Sequence, residues 1–230
     1  MHTENRDPQE IASILDNAGV VPRAGDGTVF GETVMVIDQS PVDGESGYLY
    51  EFLNAGGAVI GRCGEQAVAV DPSGSFGQIM EQSSTDQVKF YDHSGVLWAG
   101  LSHRKVWKSR ITVTGADGAQ IGLIQQRNVL GRVRLDILVS GQKAGQIRSA
   151  NTRMTEFAVT DRSGASIGRI AKIGNYASWR PGRDAKAVGR YVLELAAPLP
   201  QPLATMVAVA PVGIDLAFNP DPAGYRHTAG

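Results

Sequence analysis

Two clusters of basic residues, each containing a tryptophan, carry the chemistry that is most apparent in this sequence. The first comprises Arg104, Lys105, Trp107, Lys108 and Arg110, and the second comprises Trp179, Arg180, Arg183 and Lys186. Tryptophan favours membrane–water interfaces, and Lys and Arg are attracted to anionic lipid headgroups. We therefore treat these nine residues as candidate lipid-headgroup ligands. The alternative is a solvated strand edge that charge protects from aggregation.

Charge is unevenly distributed along the chain, although the net charge is only −1. Residues 1–95 contain 15 acidic and 4 basic residues, whereas residues 96–230 contain 8 acidic and 18 basic residues. The basic half could attract an anionic phospholipid surface or an acidic protein partner, or it could pair with the acidic half of the same chain. Few aromatic residues are available for base stacking and the pI is about 6.4, so a nucleic acid partner is unlikely.

Catalytic and metal-binding patterns find little support. Asp92, His93 and Ser94 are adjacent in sequence, and adjacent strand residues point to opposite faces, so they do not form a convergent triad. No nucleophile elbow, phosphate-binding loop or zinc-protease motif occurs, and no His/Cys cluster has metal-ligand spacing. We expect no enzymatic activity, no cofactor and no metal. The single cysteine, Cys63, is expected in the core.

The N-terminal region predicts one short amphipathic helix. Asp7 is a candidate N-cap, followed by Pro8 and by Glu10 as the other half of a capping box. Apolar residues then recur at helical spacing from Ile11 to a stop at Gly19. We expect this helix to plug or cover one end of the domain, with partner binding as the alternative. The polar start of the chain lacks a signal-peptide core, so we expect a cytoplasmic protein, with peripheral association with a membrane left open.

From about residue 32 the apolar pattern changes to a period of two, and it predicts about a dozen strands in one antiparallel meander. Glycines repeat in this region every 23 residues. The first of each pair is expected in a two-residue hairpin turn, and the second inside the returning strand at a bulge or a close backbone approach. The first glycines are Gly118, Gly141 and Gly164, and the second are Gly122, Gly145 and Gly168.

An apolar segment over residues 203–218 follows the strands. Its apolar stretch of about twelve residues is shorter than the roughly 20 that a membrane-spanning helix needs, and Pro211, Gly213 and Asp215 interrupt it. A helix enclosed by a closed sheet is the simplest interpretation, with a terminal membrane anchor as the alternative. Asp215 is expected to cap this helix or to pair with an arginine from the barrel wall.

The ordered combination of these features resembles the phospholipid scramblase and LURP-one-related group of the Tubby C-terminal-like superfamily. The resemblance rests on the segments 34–39, 50–61, 157–170 and 203–218. It implies a twelve-stranded closed antiparallel barrel around a central C-terminal helix. The domain boundaries would then be an N-terminal helix and linker at 1–29, the barrel at 30–218 and a flexible tail at 219–230.

The resemblance also implies a connection with membranes, because eukaryotic scramblases are described as calcium-dependent movers of phospholipid and Tubby-type relatives bind phosphoinositides. In this chain the segment that would correspond to their acidic calcium region, residues 194–202, holds one carboxylate, whereas calcium takes six to eight oxygen ligands. The cysteine-rich palmitoylation motif is also missing. We therefore expect a peripheral phospholipid-binding module without calcium activation. A non-catalytic protein-interaction or signalling module is the alternative, and lipid scrambling itself is a weaker one.

Overall fold

The computed structural model describes residues 6–39, 50–64, 86–105, 108–173 and 189–218. In these ranges the chain forms twelve strands and three helices. The helices are α1 (Pro8–Asn17), α2 (Leu203–Ala208) and α3 (Ala210–Phe218). The strands are β1 (Val34–Gln39), β2 (Tyr50–Asn54), β3 (Val59–Gly64), β4 (Asp86–Asp92), β5 (Leu97–Lys105), β6 (Ser109–Gly115), β7 (Gln120–Gln126), β8 (Arg134–Val139), β9 (Gln142–Ser149), β10 (Glu156–Asp161), β11 (Ser166–Ile173) and β12 (Arg190–Leu195).

The strands form one closed antiparallel barrel in which each strand pairs with its neighbour in sequence. The barrel closes because β1 pairs with both β12 and β2. Met35, for example, lies opposite Leu193 on one side and Asn54 on the other. Along β6, buried residues alternate with more exposed ones: Ile111 and Val113 are buried and Arg110 is exposed. In β1, which α1 covers on the outside, all six residues are buried. The predicted mainly β fold is confirmed.

The two ends of the barrel differ. At one end, which we term the turn end, tight hairpins join β2 to β3, β4 to β5, β6 to β7, β8 to β9 and β10 to β11. At the other end, the connection end, the chain passes between β1 and β2, β3 and β4, β5 and β6, β7 and β8, β9 and β10, and β11 and β12. Every 23-residue repeat is therefore one hairpin plus one connection.

Turn glycines adopt the left-handed conformation that hairpins of this kind require, as at Gly118, Gly141 and Gly164 with φ between 77° and 88°. Only Ser140 and Gly141 form the two-residue turn expected from the sequence, since Val139 pairs with Gln142. In the β10–β11 hairpin the loop is one residue longer, because Asp161 pairs with Ala165 and accepts the Gly164 amide on its carbonyl oxygen. The expected two-residue turn is therefore wrong for this hairpin, where the side chain of Asp161 accepts the amides of Ser163 and Ala165.

The second glycine of each repeat directly follows a bulge in the returning strand. The register shifts opposite Val113, Ile137 and Val159, which pair with Gly122, Gly145 and Gly168. A side chain at Gly145 would lie 2.6 Å from the carbonyl oxygen of Thr160 on the adjacent strand, and one at Gly168 would lie 2.5 Å from that of Glu194. The glycines thus allow a strand backbone to approach closely where the sheet bends.

Helices α2 and α3 fill the barrel. All their residues except the end residues Leu203 and Phe218 are buried, and they pack into one core with the inward side chains of the strands. Gly122 faces α2, where an added Cβ would lie 2.8 Å from Met206 Sδ. At Gly168 the nearest atoms belong to β12 instead. Among the helices of the described ranges, none is both long and apolar enough to cross a membrane.

Helix α1 lies on the outer wall instead of plugging an end of the barrel. Ile11, Ile14 and Leu15 are buried in a second apolar cluster with Val34 and Val36 of β1, among others. Asp7 accepts the Gln9 amide as the N-cap. Glu10 forms an ion pair with Arg190 at 3.0 Å. The segment that follows α1 contributes Val29 and Phe30 to the barrel core.

Candidate functional site

The first basic cluster lies at the connection end of β5 and β6. Arg104 and Arg110 are opposite each other in the register, and both are exposed. Lys108 is also exposed, and its Nζ donates to the carbonyl oxygen of Arg127 at 2.8 Å. Trp107 and the side chain of Lys105 lie outside the described residues.

The second basic cluster, Trp179, Arg180, Arg183 and Lys186, also lies outside the described residues. It belongs to the connection between β11 and β12, whose flanking residues Ile173 and Gly189 are at the connection end. In the closed barrel β11 and β12 are six strands away from β5 and β6. The strands that carry the two clusters are therefore on opposite sides of one barrel end and do not form one wall.

The wall next to the first cluster carries arginines that were not among the candidate ligands predicted from the sequence. Residues 104–153 contain ten Lys or Arg and only two acidic residues. Arg134 of β8 and Arg148 of β9 are exposed and directly opposite each other in the register, as Arg104 and Arg110 are. The sequence already shows the positive net charge of residues 104–153, but the strand bases that produce it are divided among four strands.

Most of these bases have no acidic partner. Arg127 and Lys143 both pair with Asp136, at 3.0 and 3.2 Å. Seven others have no carboxylate within 4.0 Å among the residues that the structure describes. These seven, which we term the free basic surface, are Arg104, Lys108, Arg110, Arg132, Arg134, Arg148 and Arg153.

An apolar loop tip projects within this basic surface. Val129 and Leu130, in the β7–β8 connection, are 56% and 87% exposed. Asn128 holds the loop: its Nδ2 donates to the carbonyl oxygens of Leu130 and Arg132, at 2.7 and 2.8 Å, and its Oδ1 accepts the Arg134 amide at 3.0 Å. The side chain of Leu130 is thus presented to solvent by an ordered loop with an arginine on either side.

Acidic residues of the first half of the chain do not neutralise this surface. Arg6 and Arg62 pair with Glu51, both at 3.3 Å. Of the bases in residues 96–230, Arg190 alone in the described ranges pairs with acids of the first half, namely Asp38 and Glu10. Internal pairing of the two halves therefore leaves the β5–β10 wall positive.

A buried polar group lies inside the connection end. Asp215 of α3 accepts hydrogen bonds from the phenols of Tyr50 and Tyr191, and from Lys172 Nζ at 3.1 Å. Burial raises the pKa of the Tyr50 phenol well above its ordinary value, and the charge of Asp215 raises it further. Among the described residues, the basic partner of Asp215 is Lys172 of β11. This group ties the terminal helix to the wall.

Asp92, His93 and Ser94 form part of a turn. Asp92 Oδ1 accepts from the Ser94 hydroxyl at 2.7 Å and from the Val96 amide at 2.9 Å. Burial raises the pKa of Asp92, but these hydrogen bonds outweigh burial and lower it overall. No group of three or more His, Cys, Asp or Glu suited to a metal occurs in the described part of the chain.

Comparison with known proteins adds one structural similarity. A crystal structure of a protein from Arabidopsis thaliana aligns with a TM-score of 0.46 and 10% sequence identity, over 85% of this chain and 99% of the other. No protein family and no curated protein sequence matches this chain.

Proposed function

We propose that this protein binds anionic phospholipid membranes peripherally, through the connection end of β5–β9. The observation that carries the proposal is the β7–β8 loop, where an 87% exposed leucine, Leu130, is held between arginines. Such a tip can enter the headgroup region while the neighbouring bases meet lipid phosphates. The resemblance to the scramblase and Tubby-type group supports the same class of ligand.

The expected contributions to the free energy of membrane binding are of a size that gives reversible binding. Each base near an anionic surface contributes about 1 kcal/mol, and full burial of a leucine side chain contributes roughly 1.5–3 kcal/mol. Like charges opposite each other in a sheet, as at Arg104 and Arg110, are destabilising on their own. Lipid phosphates would relieve that repulsion, which is a physical reason for an anionic ligand at this wall. Movement of lipid between leaflets is not part of the proposal.

Liposome co-sedimentation of the full chain tests the apolar tip. We expect wild-type protein to pellet with vesicles that contain phosphatidylserine and not with vesicles of phosphatidylcholine alone. Replacing Val129 and Leu130 together with serine should reduce pelleting at least fivefold. Val96→Ser is the matched control, because Val96 is 61% exposed but lies at the turn end. Equal and negligible pelleting with both vesicle types would contradict lipid binding and favour a protein-interaction module.

The charge contribution needs its own variant. Replacing Arg132, Arg134 and Arg148 with glutamine should weaken pelleting and reduce its dependence on salt concentration. The variant has fewer positive charges near the membrane, so there is less electrostatic attraction for salt to screen. Arg162→Gln removes a similarly exposed arginine at the turn end and should leave pelleting unchanged. An equal loss per removed charge in the two variants would show that net charge alone, and not this wall, controls binding.

A further inference from the structure

Glu32 is a buried carboxylate at the turn end, opposite the proposed membrane surface. The residue is 2% exposed. Its Oε1 accepts the Gly27 amide at 3.0 Å. Its Oε2 has no hydrogen-bond partner among the residues that the structure describes. A carboxylate taken out of water in this way is costly unless a proton or a cation compensates its charge.

This carboxylate lines a pocket of about 360 Å³. The remaining lining consists of the loop before β1 and the β2–β3 turn; it includes Pro22, Arg23, Ala24, Asn54 and Ala55, together with three glycines. Arg23 does not neutralise Glu32, because its guanidinium donates to Glu194 Oε1 at 3.0 Å and to the carbonyl oxygen of Leu195 at 3.1 Å. The pocket thus combines small, mainly apolar walls with a carboxylate whose Oε2 has no hydrogen-bond partner among the described residues.

Gly25 makes room for the carboxylate. A Cβ atom at Gly25 would lie 2.6 Å from Glu32 Cδ, 2.6 Å from Oε2 and 2.8 Å from Oε1. No real side chain tolerates such contacts, so a residue other than glycine at this position would displace the carboxylate. The lack of a side chain at Gly25 therefore leaves the space that the Glu32 carboxylate occupies.

We propose that this pocket binds a primary alkylammonium group. An ammonium needs one strong acceptor, and Oε2 has no hydrogen-bond partner among the described residues, while a short aliphatic chain suits the apolar walls. A guanidinium prefers both carboxylate oxygens, but Oε1 is already engaged by Gly27. Calcium requires six to eight oxygen ligands. The volume is near the lower limit of roughly 300 Å³ for small-molecule pockets. The group could belong to a free amine or to a lysine side chain.

Isothermal titration calorimetry of the full chain tests the site with n-butylammonium chloride, with Nα-acetyl-lysine N-methylamide and with 1-butanol. We expect saturable 1:1 binding of one or both ammonium compounds and none of 1-butanol. Tighter binding of n-butylammonium would indicate a free amine as the source, and tighter binding of the lysine compound would indicate a lysine side chain. No saturable binding of either ammonium compound to folded protein would overturn the proposal.

Two variants locate the site. Glu32→Gln keeps the shape of the side chain and removes its charge, so it should weaken ammonium binding at least tenfold. Gly25→Ala should do the same by displacing the carboxylate. Asp26→Asn is the control, because Asp26 is exposed on the same loop and the amide retains the acceptor for Thr28. Unchanged affinity in both Glu32→Gln and Gly25→Ala, in folded protein, would overturn the assignment. Neither result depends on lipid binding, which is measured at the other end of the barrel.

Discussion

Gly168 illustrates how single backbone positions control the barrel. Its Cα lies so close to β12 that an added Cβ would be 2.5 Å from the carbonyl oxygen of Glu194 and 2.8 Å from Leu195 Cδ2. The carbonyl belongs to β12, which is paired with β11, so moving it disturbs this pairing.

Gly168→Val should therefore lower the free energy of unfolding by about 3 kcal/mol, at the upper end of what overpacking usually costs. Urea unfolding followed by circular dichroism measures the change. Ser166→Val is the control, since Ser166 is exposed in the same strand and valine suits a strand. Equal stability of the Gly168→Val protein and wild type would show that β12 can shift to accommodate a side chain.

Asp215 is the buried carboxylate of an ion pair inside the barrel. Its ion-pair partner Lys172 is nearly buried, with 10% of its side chain exposed. Asp215→Ala should lower the free energy of unfolding by about 3–5 kcal/mol, because removal of one member of a buried ion pair is strongly destabilising.

Urea unfolding again gives the measurement, and the double variant Asp215→Leu with Lys172→Met is the comparison. It should recover much of the lost stability, since apolar side chains of similar volume can replace a buried pair. A double variant no more stable than Asp215→Ala would show that the hydrogen bonds from Tyr50 and Tyr191 matter more than the charge pair.

Helix α1 is held to the outer wall by Arg169 of β11. The guanidinium of Arg169 pairs with Glu194 at 2.7 Å and donates to the carbonyl oxygens of Ala18 and Gly19, at 3.0 and 2.7 Å. These two carbonyls lie just beyond the C-terminal end of the helix. Arg169 therefore connects α1 with β11 and β12.

Arg169→Ala should loosen α1 and cost about 1–2 kcal/mol, because charge-assisted hydrogen bonds are lost at a partly exposed site. Hydrogen exchange should accelerate at the amides of residues 11–18 more than in the β6–β9 wall. Arg162→Ala, at an exposed turn position, should leave the exchange of α1 unchanged. Uniform acceleration across the barrel would instead indicate that α1 and the barrel unfold together.

At the scale of the whole molecule, the two ends of the barrel differ in structure and charge. Tight hairpins close the turn end, where Val29 and Phe30 complete the core and the Glu32 pocket opens. The connection end carries the free basic surface and the apolar loop tip. Because neighbours in sequence are also neighbours in the barrel, bases from β5, β6, β8 and β9 lie on one wall. The separation of the two ends makes the lipid and ammonium proposals independently testable.

Local features of the fold could be predicted from the sequence because their causes are local. The period of two predicted the strands, and the 23-residue glycine repeat predicted hairpins in one meander. Asp7 and Pro8 marked the start of α1. The short apolar segment at 203–218 predicted a helix that is buried inside a closed sheet. Each of these signals depends on backbone conformation or on burial averaged over a few residues.

Contacts between distant segments needed the tertiary structure. Asp215 contacts Tyr50, 165 residues away, and Lys172, 43 residues away, so no spacing rule could name these partners. Glu32 looks like an ordinary surface acid in the sequence, and only the packing of the loop before β1 buries it. The sequence by itself determined the strands, turns and charge of each segment. Barrel closure decided which charges share a wall and which carboxylates lose water, because those depend on distances between segments that the chain order does not contain.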